Sequence, residues 1–177
     1  MIYTSHYDSP LGGITLAADG LRLAGLWFDG QKYFGDTLPE NFEEKNLPVF
    51  EETFRWLDIY FSGKAPDFTP PLFMETSPFR KSVWEIMLQI PYGKTMTYGE
   101  IAEKIAIQKG IARMSAQAVG GAVGHNSISL IIPCHRVVGT NGNLTGYAGG
   151  IDKKIRLLAM EKADMTHLFV PQKETAL

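Results

Sequence analysis

Ser129-Leu130-Ile131-Ile132-Pro133-Cys134-His135-Arg136-Val137-Val138 is the stretch on which the reading of this chain turns. It carries the only cysteine in 177 residues. The apolar run 129–132 reads as a buried strand, so the thiol falls where a core strand meets a loop. The proline before it stiffens the backbone at that point. An imidazole and then a guanidinium follow, and both favour the thiolate, the reactive form of a cysteine. Taken alone, a single cysteine is more often a small buried hydrophobe. The meaning of Cys134 therefore rests on the segments around it.

Those segments read as helices. Ser77-Pro78 supplies an N-cap and a proline at the first helical position, and Phe79, Val83, Ile86, Met87 and Ile90 then form one apolar face. Thr97 and Glu100 have capping-box spacing, with Tyr98, Ile101, Ala102 and Ile105 sharing a face behind them. Ser115 can cap a short helix over 116–123. The two helices flank a connection at 107–114, a helix-turn-helix-like arrangement with a slightly long turn. A closing helix is expected over 151–162. The second of these helices has almost no bulk: Ala116, Ala118, Gly120, Gly121 and Ala122. Glycine inside a helix costs roughly 1 kcal/mol relative to alanine, so something must compensate. Close packing against another helix would do so, and so would entry of a thin helix into a nucleic-acid groove.

The first half reads differently. Residues 2–8, 13–18 and 21–28 alternate as strands, with turns at Pro10-Leu11-Gly12-Gly13 and Asp19-Gly20; Asp-Gly between apolar runs is a hairpin signal. Phe50, Phe54, Leu57, Tyr60 and Phe61 recur at helical spacing, which predicts a helix over 49–61 that Gly63 ends. Four prolines between positions 66 and 78 mark an extended linker. The organisation expected is a scaffold domain at 1–62, a linker at 63–77, a second domain at 78–165 and a tail at 166–177. The fold class is α+β: a small antiparallel sheet with a helix, followed by a mostly helical domain.

Charge divides along the same line. Residues 1–77 hold 5 Lys/Arg against 12 Asp/Glu, while 78–165 hold 11 against 6. The basic half is the half with the capped helices, and a basic surface neutralises phosphate. No apolar run approaches the roughly 20 residues a membrane helix needs, and the first residues lack a basic-then-apolar leader pattern. One cysteine forms no internal disulfide and no Cys-rich zinc site. A reducing cytoplasm is the expected location, with no cofactor, no metal and no membrane partner, and a monomer is expected.

The 133–138 hexapeptide resembles the signature of the O6-alkylguanine-DNA alkyltransferases. The resemblance extends to Pro91 through Ala102, which is similar to the family's first DNA-binding helix. It extends also to Ala118-Val119-Gly120-Gly121-Ala122 through Asn126, similar to its second. Gly146-Tyr147-Ala148-Gly149-Gly150 resembles the pocket loop, and Leu157 through Glu161 the closing helix. It is specific over about 78–163 and covers the first 77 residues only in length and rough pattern. Ordered motifs at the right spacing make a stronger signal than a bare Cys-His pair.

The resemblance implies a ribonuclease H-like first domain and a winged-helix, helix-turn-helix-like second one. It implies transfer of an alkyl group from O6-alkylguanine in double-stranded DNA, with O4-alkylthymine a further candidate, to the sulfur of Cys134, once per molecule. The base would be flipped out of the stack, with the thin helix in the minor groove. By resemblance, His135 activates the thiol, directly or through water, and Glu161 orients His135. Asn126 ties the second helix to the active-site loop, and the Tyr98 hydroxyl donates to the guanine ring. Backbone N–H groups of Ala148 and Gly149, beside Tyr147, would serve the guanine O6, and carbonyls near Cys134 and Val137 its amino group. Thr97, Ser115, Ala116, Gln117, Ala118, Gly120 and Val123 would face DNA, and Arg136 is either structural or phosphate-facing.

One position departs from the pattern. Where most of the family place an arginine that fills the gap left by the flipped base, this chain has Gln117. Two rival readings stay open on sequence: a DNA-damage-binding or regulatory module with an inert thiol, and a cysteine hydrolase.

Overall fold

The computed structural model describes residues 1–171; the last six residues of the expected tail lie outside the described residues. The chain forms two units. One holds Met1–Glu75 and Ser127–Ile131, the other Thr76–Asn126 and the chain from Ile132 onward. The return of five residues from the second half to the first unit has no signal in composition.

In the first unit, β1 (Ile2–Ser9), β2 (Gly12–Ala18) and β3 (Leu23–Phe28) form the expected antiparallel meander. Asp19 shapes the second turn by accepting the Leu21 and Arg22 N–H groups, at 3.1 and 2.8 Å. A short β4 (Phe42–Glu44) adds to the outer side of β1 in parallel, so the sheet order is β3-β2-β1-β4 and the sheet is mixed rather than purely antiparallel. α1 (Pro48–Phe61) buries Val49, Phe50, Thr53, Trp56, Leu57 and Tyr60; of the expected face, Phe50, Leu57 and Tyr60 are buried and Phe54 and Phe61 half-buried. The free edge of β3 is covered twice. Leu23 exchanges backbone hydrogen bonds with Pro71 and Phe73, and Leu26 with Ser127 and Ser129. Covering an edge removes a site of unwanted pairing.

The run 129–132 is buried but is not a strand. Residues 129–131 form a turn in which the Ile131 N–H reaches the Ser129 carbonyl and Leu130 stands at φ +70°. The apolar character reports burial correctly; four apolar residues do not specify conformation.

The second unit holds α2 (Pro78–Met87), β5 (Met96–Thr97), α3 (Tyr98–Lys109), α4 (Ala116–Gly124), a 3₁₀ turn at Cys134–Arg136, β6 (Val137–Val138), a second 3₁₀ turn at Thr140–Gly142 and α5 (Ile151–Met160). Caps set the helix starts. Ser77 accepts from Arg80 N, Ser115 from Ala118 N, and Thr97 with Glu100 completes a capping box. Gly110 ends α3 in the left-handed conformation. α4 packs against α2 and α3, and the Trp84 indole donates to the Ala122 carbonyl at 2.9 Å. β5 and β6 pair in parallel, Met96 with Val137 and Thr97 with Val138. This two-residue ladder ties the start of α3 to the chain just after Cys134.

A C-terminal strap closes the unit. Phe169 pairs with the 142–144 segment through bonds of 2.9 and 3.0 Å, and Met165 and Leu168 pack on a cluster of Val138, Leu144, Leu158 and Ala163. Gly142 sits beneath this strap at φ +90°, where any Cβ would collide with the His167 carbonyl. Gly142→Ala is therefore expected to lower stability by about 1–3 kcal/mol, read as a fall in the denaturant midpoint at unchanged slope.

Candidate active site

Cys134 opens its 3₁₀ turn with its N–H bonded to the Ile132 carbonyl, and the residue is 5% exposed. Asn126 and Ile132 flank the segment that leaves for the first unit, and the Asn126 side-chain amide donates to the Ile132 carbonyl at 2.8 Å. The end of α4 is thus bonded to the residue two places before the sulfur.

Next to the sulfur in sequence lies a buried polar network. His135 is fully enclosed, and its Nε2 meets the Glu161 carboxylate at 2.5 Å. Glu161 is the C-cap residue of α5 and is 2% exposed. It also accepts from Arg136 Nε at 2.8 Å, from Arg136 Nη2 at 3.2 Å and from the Gly93 backbone N–H at 3.0 Å. Arg136 Nη1 donates to the Ile90 carbonyl at 2.8 Å. Burial opposes the charge on Glu161, but the bonds from His135 and Arg136 outweigh it and hold the carboxyl well below the usual range. Burial pulls His135 down; Glu161 pulls it up, and the Arg136 and Lys154 charges lower it again, leaving it below its ordinary value. A neutral imidazole that donates Nε2–H to the carboxylate leaves the lone pair on Nδ1.

Tyr98, at the first position of α3, is buried, and its hydroxyl donates to the Thr145 carbonyl at 3.3 Å. Burial raises its pKa, and the charge of Cys134 adds to that, so the phenol keeps its proton. Tyr147 is buried in the loop before α5, and its hydroxyl has no hydrogen-bond partner among the described residues. Ala148 and Gly149 are half-buried beside it. The Val137 carbonyl, expected to meet a base amino group, accepts from Lys154 Nζ at 2.5 Å; a carbonyl keeps a second lone pair for another donor.

On α4, Ser115, Ala116, Gln117, Ala118 and Gly121 are exposed, Gly120 is half-buried, and nothing lies within 4 Å of where a Gly121 Cβ would stand. Thr97 is half-buried and engaged in capping α3. Two of the residues named for DNA are buried. Val123 is 2% exposed, on the inner face of α4, because the helix buries Val119, Ala122 and Val123 together. Arg136 is 9% exposed and turns its guanidinium inward to Glu161 and Ile90. Among the described residues no group of His, Cys, Asp or Glu could hold a metal ion, and no helix is long and apolar enough to cross a membrane.

A family model for the 6-O-methylguanine DNA methyltransferase DNA-binding domain matches residues 78–163, and one for that protein's ribonuclease-like domain matches 2–73. The chain belongs to the 6-O-methylguanine DNA methyltransferase family. It is 43% identical over 162 residues to the methylated-DNA--protein-cysteine methyltransferase of Methanosarcina acetivorans, covering 90% of this chain and 98% of that one. The Mycobacterium tuberculosis O6-methylguanine methyltransferase structure superimposes with a TM-score of 0.78 at 40% identity, covering 92% and 93% of the two chains. The same organism's OGT solved in complex with DNA gives 0.77 at 40%, covering 91% and 92%. Within this family frame the sequence reading missed one residue, Lys154. It is fully buried, with Nζ bonded to the Val137 and Thr145 carbonyls. Its place on the inner face of α5, in phase with Leu157 and Leu158, was the only available signal.

Proposed function

We propose that this chain repairs double-stranded DNA by moving the alkyl group of O6-alkylguanine irreversibly to Cys134, one group per chain. The observation that carries this is the enclosed His135–Glu161–Arg136 network directly beside the sole cysteine, in a chain of this family. The sulfur pair attacks the alkyl carbon, the carbon–O6 bond breaks with its pair on the purine, and the purine takes up one proton. The thiol loses one proton, so the transfer is proton-neutral overall. Nδ1 of His135, set as the basic nitrogen by Glu161, draws the thiol proton, directly or through water. Tyr98 turns its one hydroxyl proton from the Thr145 carbonyl to the departing base, where charge develops. The unpartnered Tyr147 hydroxyl supports a polar ligand in the loop, since a buried hydroxyl without a partner costs about 1–3 kcal/mol. Backbone N–H groups of Ala148 and Gly149 serve the O6 atom. A thiol that works once must stay reduced, which favours the cytoplasm.

The test is a single-turnover assay with duplex DNA carrying one O6-methylguanine with a labelled methyl. Label that saturates at one per chain supports the reading, and binding without transfer sinks it in favour of a damage-recognition module. O4-methylthymine in the same duplex decides the second substrate.

Ser115, Ala116, Gln117 and Ala118 form the DNA-facing side of α4, and Gln117 fills the gap left by the flipped base with neutral hydrogen bonds. Gln117→Arg is expected to tighten binding and, through the added positive charge, to steepen its salt dependence. An unchanged slope and rate would show that position 117 does not limit flipping. The thioether adds a methyl to a site that is 5% exposed. The methylated protein is expected to melt below the free one, as overpacking by one carbon costs about 1–3 kcal/mol.

A further inference from the structure

The buried charges around Cys134 balance only if the sulfur is counted. Arg136 and Glu161 cancel each other through two hydrogen bonds. His135 is neutral, and burial keeps the Tyr98 and Tyr147 phenols protonated. That leaves Lys154, fully buried on α5, bonded to two carbonyls and with no carboxylate within ion-pairing distance among the described residues. A buried ammonium without a counter-charge is strongly unfavourable. Its two acceptors are informative. Val137 lies three residues after Cys134, and Thr145 O is the carbonyl that also accepts from Tyr98. The ammonium is held between the two backbone segments that border the reactive site.

We propose that Lys154 is a second activating group for the thiol: its ammonium, locked between the Val137 and Thr145 carbonyls, is the counter-charge that admits the Cys134 anion. Burial draws Lys154 down to about 8, and the negative charge of Cys134 pushes back upward. The charge on the sulfur and the proton on Lys154 then support each other by linkage, as the charges of any interacting pair do. Until the thiol proton moves to His135, that residue and Arg136, which also face this site, contribute no net charge beyond the Arg136–Glu161 pair. Lys154 acts through the sulfur and the backbone, so it is a positioning residue.

The proposal goes beyond the repair reaction and is tested without DNA, so failure of alkylguanine transfer would leave it standing. The rate of Cys134 carbamidomethylation by iodoacetamide is measured against pH for the intact wild type, Lys154→Met and Lys154→Arg. Lys154→Met is expected to raise the apparent thiol midpoint by at least about one pH unit, a roughly tenfold loss of rate near pH 7. The limiting rate at high pH stays unchanged, and arginine restores the midpoint. A midpoint equal to wild type, at any overall rate, overturns the proposal. Should the methionine variant not fold, the wild type alone decides. With ¹³C-labelled lysine, the Lys154 titration midpoint must fall when Cys134 is carbamidomethylated, and an unmoved midpoint overturns the idea.

Discussion

Cys134→Ala should lose transfer completely: labelled methyl on protein drops from one per chain to background. The chain holds no other cysteine to take its place. The side chain is small and its site is enclosed, so alanine leaves a cavity of about one atom, and the fold should persist with a loss near 1 kcal/mol. Binding to the damaged duplex should survive, because the exposed side of α4 is untouched. Gel-shift affinity and single-turnover transfer measured on the same preparation separate the two. Transfer remaining in the alanine variant would show that another side chain takes the alkyl group, and the reading of this site would fall.

Glu161→Gln is the second large effect. Removing the charge leaves Arg136 and its guanidinium inside without a counter-ion, and breaking one side of a buried pair costs about 3–5 kcal/mol. For a chain of this size that is a fall in Tm of about 10 °C. Transfer should fall as well, since the amide no longer fixes His135 with Nδ1 as the basic nitrogen. Chemical denaturation reports the first loss and transfer rate at a permissive temperature the second. A stable, fully active Glu161→Gln would mean that the network is a packing detail.

The same network sets the response to acid. Glu161 has a folded pKa below its unfolded value, so its stabilisation is complete above about pH 4.3 and is lost as pH falls further. His135 is buried neutral with a lowered pKa, so the unfolded chain binds the proton first below about 6.5, and stability starts to decline there. Both terms have the same sign, and Glu161→Gln should flatten the acid limb of the stability curve.

Much of this was legible because local chemistry decided it. Ser77, Thr97 with Glu100, and Ser115 start helices through bonds to their own neighbours, and the Asp19 turn is made by the two residues after it. The illegible parts come from non-local packing. β5 and β6 have two residues each, too short for any periodicity. Residues 129–131 look like a strand because strands and buried turns share composition. Lys154 sits next to Lys153 in a helix with charges throughout, where a solvated lysine is the ordinary case. Arg136 beside a reactive thiol suggests a phosphate contact until Glu161 and Ile90 are seen to occupy it. In each case burial, set by residues far away in the chain, decides what the side chain does.

Gly121 on α4 sets helix stability against helix bulk. Alanine at Gly121 would meet nothing, and in a helix interior it would stabilise the chain by roughly 1 kcal/mol. A lineage tuned for melting temperature alone would acquire it in a single step. On the proposed DNA-facing helix, a glycine in open space keeps α4 slender at a cost in helix stability. Thermostabilising programmes should leave that position alone, however favourable the substitution looks on the isolated protein.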